Sequence, residues 1–587
     1  DWENKLDDIP TIINNLRIGL EHFKNKYRKI IDKANDSLTH YDTAVIFAIM
    51  LKDKVYCEDD KNWYYCNPYN NWKYNSSPMI LEAIVPVIGS ELLELISKEY
   101  VAKAMDTSLE KEERDKFLKK AEKVEKLINN LKLTPFRNNV IKGNYSLYIK
   151  ENFKEKYLDS KTHLFAFSNK VFDFSLNSGK KENLTINDFI KDIKPDDYIF
   201  TNTGYDFPER FDEVFKTKLN KYFNDLFPVI KIQDDDDNKK IITLNENKKD
   251  YVLNMISTSL NGSNNEQSVM FHTGRGSNSK TTLFSLIETV FGDYFISLNA
   301  ETFTEKMRAN ACNDLWKLKG KRFTTFQEPD DTNGTELQAS TLKVFGDNAS
   351  VKLNGNQKYK DPIQFVNQST LHGAMNKKPS LSGIDGGIKR RVKIIEYTTQ
   401  FVETIRDKNY ERLINPDFMK EVSSIEMRDA FVIMLLENWI KNVRDHKIIT
   451  VPNCVIEASA EYCDGCDVVK QFLYDGYITT HNSKDRIKSN EFYAKFKQYI
   501  KDNGIEKTLS DKKFKESMLD IRGITLKRSN GIFYCGLVEK ESRSEDTESP
   551  VPVKGPDDEF KPDTDDDILT DDETETNTRC ESPEPCK

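Results

Sequence analysis

The spacing of apolar residues changes along the chain, and each change predicts a different kind of element. Residues 11–34 and 77–105 carry apolar side chains three and four positions apart with lysines on the opposite face, which predicts amphipathic helices. Residues 55–74 between them are rich in tyrosine, tryptophan and turn-forming residues, which indicates a small sheet. Its aromatic side chains could stack on bases, but packing within the protein is the favoured reading. Residues 1–255 are predicted to form a mostly helical domain.

Further along, the pattern becomes that of an α/β protein. Residues 162–179 alternate like a hairpin with its turn at Asn169–Lys170. From 256 to 405, short apolar runs alternate with helical segments, which predicts an α/β domain around a largely parallel sheet. Residues 406–540 return to helices and end in a hairpin at Ser529–Gly531, as a winged helix would. The chain is therefore predicted to be a multidomain α/β protein.

Charge separates the last residues from the rest. Residues 541–587 contain 17 acidic and 5 basic residues and few apolar ones, which predicts a disordered acidic tail with a net charge of −12. Because the whole chain carries −9, residues 1–540 carry +3. This mildly basic balance allows a nucleic-acid partner without requiring one.

Composition limits the environment of the protein. No run of eighteen apolar residues occurs, so neither a membrane span nor a membrane partner is predicted. The nine cysteines are odd in number and scattered, which indicates an intracellular, reducing compartment. The pair Cys463 and Cys466 has no second pair nearby, and a loop beside a helix is favoured over a zinc site.

The clearest chemical signal is a phosphate-loop pattern, G-x-x-x-x-G-K-[ST], that starts at Gly274 and departs only at Ser279. An apolar run precedes it and a helical pattern follows, so strand, loop and helix come in the required order. The predicted ATP-binding residues are Gly274, Arg275, Gly276, Ser277, Asn278, Ser279, Lys280, Thr281 and Thr282.

Each part of this loop has a physical task. The backbone N–H groups and the helix N-terminus would face the phosphates, Lys280 would add a positive charge, and the Thr281 hydroxyl would hold Mg²⁺. Glycine is usual before the lysine because backbone must approach phosphate closely, and serine is small enough to be tolerated at 279. The alternative is a loop that caps a helix and binds nothing.

Three downstream features have the chemistry of a nucleotide hydrolase. Glu328 ends the strand-like run "RFTTFQ" and could hold Mg²⁺ and polarise water, if that strand lies beside the phosphate-loop strand. Asn376 follows an apolar stretch and could orient water or the γ-phosphate. Arg390 and Arg391 precede the strand "VKIIEY", from which an arginine could reach a neighbouring subunit's nucleotide.

A lysine-bearing hairpin is predicted over residues 350–365, with its turn at Asn354–Gly355. Lys352, Lys358 and Lys360 lie near its tip and could contact a phosphate backbone. A solvated hairpin without a partner fits the same residues equally well.

Taken in order, the segments "GRGSNSKTT", "FTTFQEP", "LKVFGDNASVKL", "NKKPSL" and "DGGIKRRVKIIEY" resemble the helicase part of the poxvirus-type primase-helicases of nucleocytoplasmic large DNA viruses, within helicase superfamily 3. The resemblance covers roughly residues 40–540 and is strongest over 270–400. It implies an AAA+-like ATPase core that uses ATP and Mg²⁺, preceded by the helical domain and followed by the winged helix.

The resemblance also implies a function and roles for residues. It implies a hexameric ring that moves along single-stranded DNA in the 3′ to 5′ direction and opens forked DNA, with viral replication proteins as further partners. The implied place is the site of viral DNA replication, a cytoplasmic factory, or the virion. Lys280 and Thr281 match the first motif, Glu328 the second, the lysine hairpin the DNA-contacting loop and Asn376 the sensor. Arg390 or Arg391 matches the arginine finger, and Arg391 is favoured.

Two positions depart from the family pattern. Ser279 replaces the usual glycine, and Gln327 stands where many members have a second acidic residue. The alternative function is therefore a non-hydrolysing, DNA-binding ring scaffold with a decayed phosphate loop; a DNA-packaging motor fits the remaining features less well. No paired-carboxylate motif occurs in residues 1–255, so primer synthesis is not predicted.

Overall fold

The structure is a computed structural model. It describes residues 8–176, 183–233, 241–304, 314–327, 336–347, 352–355, 363–445, 449–480, 482–503, 509–519, 521–529 and 531–540. Glu328, Lys358, Lys360 and the acidic tail 541–587 lie outside these residues, so the predictions made for them stay predictions. The chain divides into two compact units, the first ending at Asp475 and the second beginning at Gly476. The predicted domain boundaries at 255 and 405 also stay predictions.

Amphipathic helices dominate the first part of the chain, as predicted. They are α1 (Asp8–Lys26), α2 (Arg28–Ser37), α3 (His40–Met50), α4 (Met79–Met105), α5 (Lys111–Lys132) and α6 (Thr134–Ile141). The predicted small sheet is antiparallel, with strands β1 (Val55–Cys57), β2 (Trp63–Cys66) and β3 (Trp72–Asn75). Trp63, Tyr64 and Trp72 are buried, so these aromatic rings pack inside the protein and are not available to stack on bases.

A mixed segment links these helices to the large sheet. Its elements are α7 (Phe153–Lys156), β4 (Leu164–Ala166), β5 (Lys170–Asp173), β6 (Ile190–Asp192), α8 (Glu213–Leu226), β7 (Ile230–Gln233), β8 (Ile241–Leu244) and α9 (Lys248–Thr258). Strands β4 and β5 are antiparallel, and the Phe167 amide donates to the Lys170 carbonyl at 2.8 Å. The hairpin predicted from the alternation is therefore confirmed.

The centre of the first unit is a five-stranded parallel sheet, which confirms the predicted sheet type. This region contains β9 (Val269–Thr273), α10 (Lys280–Phe291), β10 (Phe295–Leu298), α11 (Glu301–Thr304), β11 (Phe323–Gln327), β12 (Leu337–Gln338), α12 (Ala339–Phe345), β13 (Lys352–Gly355), β14 (Ile363–Val366), β15 (Thr370–Met375), β16 (Leu381–Ser382), α13 (Gly386–Arg391) and β17 (Val392–Glu396). All five residues of β9 are buried. Met270 and Phe271 join two different hydrophobic clusters, as expected for a parallel strand covered on both faces.

The strand order corrects one prediction. The order is β10-β11-β15-β9-β17, so β15 separates β11 from the phosphate-loop strand β9. The sequence placed the strand that ends before Glu328 directly beside β9, because periodicity identifies strands but does not give their order in a sheet. Asn376, which follows β15, is therefore the predicted site residue on the adjacent strand.

The lysine-bearing hairpin exists, but its turn is not at Asn354–Gly355. Strands β13 and β14 are antiparallel, with Asn354 opposite Gln364 and Gly355 opposite Ile363, so both residues belong to the ladder. A Cβ atom on Gly355 would lie 2.7 Å from the backbone nitrogen of Trp316. Close packing of two backbones, and not a tight turn, therefore explains this glycine.

The first unit ends in helices that complete its core. The elements are β18 (Gln400–Val402), β19 (Glu411–Leu413), α14 (Pro416–Glu421), α15 (Ile425–Asn438), a π-helical turn (Trp439–Val443), α16 (Asn453–Gly465) and α17 (Val468–Gly476). Helices α8, α9, α10 and α15 share one hydrophobic cluster through side chains such as Phe223, Met255, Leu286 and Phe431. Helix α8 is therefore fixed against the helix that follows the phosphate loop.

The second unit contains β20 (Tyr477–Thr479), β21 (Arg486–Lys488), α18 (Ser489–Asp502), α19 (Asp511–Leu519), β22 (Thr525–Arg528), β23 (Ile532–Cys535) and β24 (Leu537–Glu539). Arg528 pairs with Ile532 across the predicted hairpin. Phe492, Phe514 and Tyr534 pack together between the helices and the sheet. Two helices followed by a hairpin are what a winged helix requires, but the winged-helix assignment itself stays a prediction.

The six cysteines among the described residues are free thiols. Cys463 lies on α16, not in the predicted loop, and burial raises the pKa of its thiol to about 11.

Nowhere in the described part of the chain is a helix both long enough and apolar enough to cross a bilayer.

Candidate nucleotide-binding site

The predicted phosphate loop lies where a nucleotide site would need it. Strand β9 ends at Thr273, and α10 begins at Lys280. The loop between them lines one end of a cavity of about 690 Å³, whose other end is formed by α8 and by residues 413–421. The carboxyl end of a parallel sheet is the usual place for a ligand in this kind of fold.

Gly274 occupies a position that no other residue could take without a shift. Its φ is +157°, and a Cβ atom there would collide with the Asn278 side chain and lie 2.8 Å from the Tyr397 carbonyl oxygen. By contrast, a Cβ atom on Gly276 would meet nothing within 4 Å. The first glycine of the motif is thus required by the fold of the loop itself.

Ser279 has a left-handed backbone conformation, with φ 61° and ψ 17°. An L-residue other than glycine adopts this region at a cost of about 1–2 kcal/mol. Sequence reasoning attributed the usual glycine to close approach of phosphate, whereas the structure adds a conformational reason. The loop therefore keeps a glycine-like conformation at a position occupied by serine.

The N-terminus of α10 is left open by its own N-cap residue. Ser279 holds the N-cap position, but its side chain makes no capping hydrogen bond to the first turn. Its hydroxyl instead lies 3.3 Å from the phenol oxygen of Tyr222, and the phenol donates to the Ser279 carbonyl at 3.1 Å. Orphan amide groups at a helix N-terminus can receive an anion.

Lys280 lies at the centre of the site and brings three predicted residues together. Its side chain is only 7% exposed, and its Nζ donates to the Gly274 carbonyl at 2.6 Å. The same Nζ lies 3.2 Å from Asn278 Oδ1 and 3.4 Å from Asn376 Oδ1. Lys280, the loop and the residue after β15 therefore meet at one point, while their roles as first motif and sensor stay predictions.

Two observations fit a triphosphate in this place. Asn278 is buried, and its Nδ2 donor has no hydrogen-bond partner in the described structure. An unpaired buried donor is costly, and a phosphate oxygen is an acceptor that could satisfy it. The Thr281 side chain is exposed and lines the cavity, where its hydroxyl could reach a Mg²⁺ ion bound to phosphates.

A second cavity, of about 370 Å³, adjoins the first. It is lined by Thr281, Glu288, Gln327 and Asn376 among others. No cluster of three metal-binding side chains occurs among the described residues. Mg²⁺ at nucleotide sites usually has one or two protein ligands and takes the rest from phosphates and water. The Thr281 hydroxyl could supply one such ligand, and the role of Glu328, which lies outside the described residues, stays a prediction.

The remaining loop residues have different positions. Arg275 and Ser277 are exposed, and the Ser277 carbonyl accepts from the Phe401 amide at 2.8 Å. Thr282 is buried, and its hydroxyl donates to the Met419 sulfur at 3.2 Å. The Thr282 side chain therefore contacts α14 at the wall of the cavity, and its predicted ATP contact stays a prediction.

The two adjacent arginines have different environments. The Arg391 guanidinium donates to the Gly346 and Gly387 carbonyls and pairs with Asp347 at 3.0 Å. Arg390 is exposed, and its guanidinium forms no ion pair with the residues that the structure describes. Arg391 is thus held by contacts within the chain, whereas Arg390 is exposed.

Sequence reasoning missed the wall opposite the loop. Phe418 stacks on Tyr222 with ring centroids 4.6 Å apart. Beside them Leu413, Ile414 and Met419 line the cavity although they are 58%, 44% and 51% exposed. No motif marks these residues, because apolar side chains in a short irregular segment resemble any other packing residue.

A buried pair of histidines lies beneath the site. His272 on β9 bonds to the Tyr397 hydroxyl at 2.9 Å and to His372 on β15 at 3.1 Å. Burial, helped by the nearby charge of Lys280, lowers the pKa of His272 to about 3. Burial and the neighbouring His272 lower the pKa of His372 far below its ordinary value. Both rings are neutral at physiological pH.

Of the predicted DNA-contacting lysines, the structure describes Lys352, which is exposed on β13. Lys358 and Lys360 lie outside the described residues. The exposed position of Lys352 is compatible with a contact to a phosphate backbone, and its role stays a prediction.

Comparison with known proteins gives relatives among large DNA viruses, although no family model matches the chain. A protein named "Putative helicase" from Acanthamoeba polyphaga mimivirus is 27% identical over 500 residues, covering 82% of this chain and 48% of the relative. A protein named "Putative primase" from African swine fever virus is 22% identical over 524 residues, covering 82% of this chain and 50% of the relative.

Solved structures of the NrS-1 C-terminal region are a weaker match. One of them covers 81% of this chain and 85% of its own, with 13% identity and a TM-score of 0.38, too low to support an argument. The chain spans about half the length of the two viral relatives. The resemblance predicted from the ordered motifs is nevertheless confirmed: the chain is a relative of the proteins named as helicases and primases in nucleocytoplasmic large DNA viruses.

Proposed function

We propose that this chain is an ATP-dependent DNA helicase of superfamily 3 that acts in viral DNA replication. The observation that carries the proposal is the meeting of Lys280 with the loop and with Asn376 at the carboxyl ends of β9 and β15. A buried lysine, an open helix N-terminus and a polar side chain on the next strand are the parts that bind a triphosphate and orient the attacking water. The names of the viral relatives point to the same activity.

Each residue then has a place in hydrolysis. The amides of the loop and the Lys280 ammonium would bind the β- and γ-phosphates, and Thr281 with Glu328 would hold Mg²⁺, which would neutralise charge that develops on the phosphates. Glu328 accepts a proton from the water that attacks the γ-phosphate, and Asn376 orients that water. The phosphorus–oxygen bond to the β-phosphate breaks, so ADP and inorganic phosphate leave the site.

The apolar end of the cavity suits the base of the nucleotide. Tyr222 and Phe418 are already stacked, while Leu413, Ile414 and Met419 remain partly exposed on the wall. A flat heterocycle that covers these side chains would remove apolar surface from water. The phosphate loop at one end and this wall at the other therefore fit a nucleoside triphosphate better than a lone phosphate.

Assembly as a homo-hexameric ring would complete the site. Arg390 is exposed on α13, at the edge formed by the last strand of the sheet, β17. In a ring this guanidinium can contact the γ-phosphate bound by the neighbouring subunit and make hydrolysis depend on assembly. We therefore prefer Arg390 to Arg391 as the arginine finger. Single-stranded and forked DNA would be held by the hairpin with Lys352, Lys358 and Lys360.

The test is steady-state ATP hydrolysis with and without single-stranded DNA. Wild-type protein should hydrolyse ATP faster when DNA is present, and Lys280→Ala should lose most of this activity while it remains folded. Lys420→Ala is a matched control, because Lys420 is 80% exposed on α14 near the cavity and should keep wild-type turnover. Wild-type hydrolysis by Lys280→Ala would refute the proposal.

One observation favours a second function, a DNA-binding ring scaffold that does not hydrolyse ATP. The loop holds Ser279 in a left-handed backbone conformation that is unfavourable for serine, as expected of a decaying site. This function predicts an oligomer that binds DNA with no ATP turnover in the same assay. DNA-stimulated turnover that is lost in Lys280→Ala would exclude it.

A further inference from the structure

We infer that Tyr222 is a positioning residue that lets the phosphate loop work with serine at position 279. Its phenol holds the Ser279 carbonyl and hydroxyl, so that residue 279 keeps its left-handed backbone and its side chain does not cap the first turn of α10, where phosphate would bind. This inference rests on the proposed nucleotide site and adds to it a residue from α8, which lies outside every motif of the sequence.

The starting point is what a serine does at an N-cap. Its hydroxyl normally accepts a hydrogen bond from the amide two or three residues ahead. Ser424 does so in this chain from an extended backbone (φ −73°, ψ 155°), accepting from the Met427 amide at 3.2 Å, whereas the left-handed Ser279 makes no such bond. At a phosphate loop the same bond would occupy an amide that the nucleotide needs. Serine at 279 can therefore disfavour phosphate binding in two ways: its side chain can occupy a helix amide, and its backbone must adopt a conformation that is costly for serine.

The structure shows how this bond is avoided. Ser279 makes no capping bond, and its hydroxyl lies 3.3 Å from the Tyr222 phenol oxygen. Because the phenol donates to the Ser279 carbonyl at 3.1 Å, the serine hydroxyl can donate to the phenol oxygen in return. The two groups then satisfy each other, and the Ser279 side chain takes no amide of α10; the Lys280 amide donates to Asn278 Oδ1 at 3.4 Å.

The Tyr222 side chain is held firmly enough to do this. It is 6% exposed, and its ring stacks on Phe418 at an interplanar angle of 23°. The Ser279 carbonyl also accepts the first bond of α10, from the Leu283 amide at 3.1 Å. The phenol therefore contacts the peptide at which the left-handed turn becomes a helix, and so supports the conformation that serine disfavours.

This arrangement predicts that residues 222 and 279 act together. Glycine at 279 has no hydroxyl to compete with phosphate and adopts the left-handed region without steric cost. In the Ser279→Gly variant the Tyr222 phenol should therefore contribute little to nucleotide binding. With serine in place, Tyr222→Phe removes the donor to the Ser279 carbonyl, so residue 279 should relax towards the extended backbone from which a serine caps a helix, while the stacked ring is kept.

The test is a double-mutant cycle that measures binding of a fluorescent ATP analogue with Mg²⁺. The proteins are wild type, Tyr222→Phe, Ser279→Gly and the double variant, with thermal melting as a check on folding. We expect Tyr222→Phe to weaken binding about three- to tenfold beside Ser279. Beside glycine the same substitution should weaken it less than about twofold.

Tyr205→Phe is the matched control. Tyr205 is partly buried, and its phenol also contacts α10, but it donates to the Val290 carbonyl at 2.6 Å, at the opposite end of the helix. This variant should lower thermal stability without changing analogue affinity. An equal loss of affinity in Tyr205→Phe and Tyr222→Phe would mean that both act only through stability, and would overturn the inference.

The remaining outcomes separate this inference from the proposed function. If wild type binds the analogue and Lys280→Ala does not, but Tyr222→Phe binds like wild type, the nucleotide site stands and the role of Tyr222 is refuted. An equal loss from Tyr222→Phe in the serine and glycine backgrounds also refutes it. If wild type fails to bind the analogue, the proposed function is wrong and the inference fails with it.

Discussion

At the scale of single residues, Gly274 and Gly276 belong to the same motif, but the structure requires glycine only at position 274. A methyl group on Gly274 would meet Asn278 and the Tyr397 carbonyl, whereas one on Gly276 would meet nothing. We expect Gly274→Ala to lower the free energy of unfolding by about 1–3 kcal/mol, and Gly276→Ala to change it by less than about 0.5 kcal/mol. Urea unfolding without nucleotide measures both, and equal effects would contradict the loop geometry.

The histidine pair predicts how stability depends on pH. Both pKa values are lowered in the folded protein, so below about pH 6.5 the unfolded chain binds protons that the folded chain does not. The free energy of unfolding should therefore fall as the pH falls from about 6.5 towards about 3. Each histidine contributes up to about 1.4 kcal/mol per pH unit.

Replacing one ring tests this prediction. His372→Gln removes one titrating group, so the decline of unfolding free energy between pH 6.5 and 5 should become shallower than in wild type. Chemical unfolding at several pH values gives the slope directly. Identical slopes in both proteins would show that the rings do not stay neutral in the fold.

The local sequence pattern identified the residues of the loop, but it did not explain why each residue stands at its position. The G-x-x-x-x-x-K-T spacing is a property of consecutive residues, so Gly274, Lys280 and Thr281 could be predicted from sequence. The left-handed backbone of Ser279 and its bond to Tyr222 depend on a helix 57 positions away. Nothing in the neighbourhood of Ser279 encodes that contact.

At the scale of elements, α13 presents its two arginines to different surroundings. Arg391 ties the helix to the Gly346 and Gly387 carbonyls and to Asp347, whereas Arg390 is exposed. We expect Arg391→Ala to lower thermal stability, because it leaves a carboxylate and two carbonyls without their donor. Arg390→Ala should keep its melting temperature and lose most ATP turnover.

Mixing experiments decide whether Arg390 acts between subunits. Lys280→Ala carries an intact arginine and Arg390→Ala an intact loop, so mixed rings should contain some complete sites. Turnover above the sum of the two separate variants supports a shared site. No gain on mixing, in rings that do exchange subunits, would contradict it.

The helices and strands could be predicted from sequence better than the order of the strands in the sheet. The apolar runs gave β9, β11 and β17, and the 3.6-residue spacing gave α10, because both signals are local. The insertion of β15 between β11 and β9 is a property of chain crossovers, for which the strands carry no local signal. The turn assigned to Asn354–Gly355 failed for a similar reason, since the distant Trp316 backbone requires that glycine.

At the scale of the whole molecule, the acidic tail is the strongest charge asymmetry. Residues 541–587 carry −12 and the rest of the chain +3. If the tail competes with DNA for basic surface, deleting it should raise DNA affinity at low salt, and the gain should shrink as salt screens the charges. Fluorescence anisotropy with labelled single-stranded DNA measures this; an unchanged affinity would indicate a tail that serves solubility alone.

The candidate site draws on parts of the chain that sequence reasoning kept separate. Tyr222 comes from before the predicted boundary at 255, and Phe418 from after the one at 405. The sequence analysis singled out neither residue, because an aromatic side chain on an amphipathic helix most often packs in a core. The wall of the cavity therefore could not be predicted, although its opposite end could.

The strand order also bears on how the protein is made. Strand β9 pairs only with β15 and β17 within the described sheet, and its His272 meets His372, a residue 100 positions later. Contacts between such distant residues form late and slow folding. During synthesis the phosphate loop must therefore emerge before the strands that flank it exist. We expect the nascent chain to acquire nucleotide affinity only after residue 396 has left the ribosome, and until then β9 needs protection from aggregation.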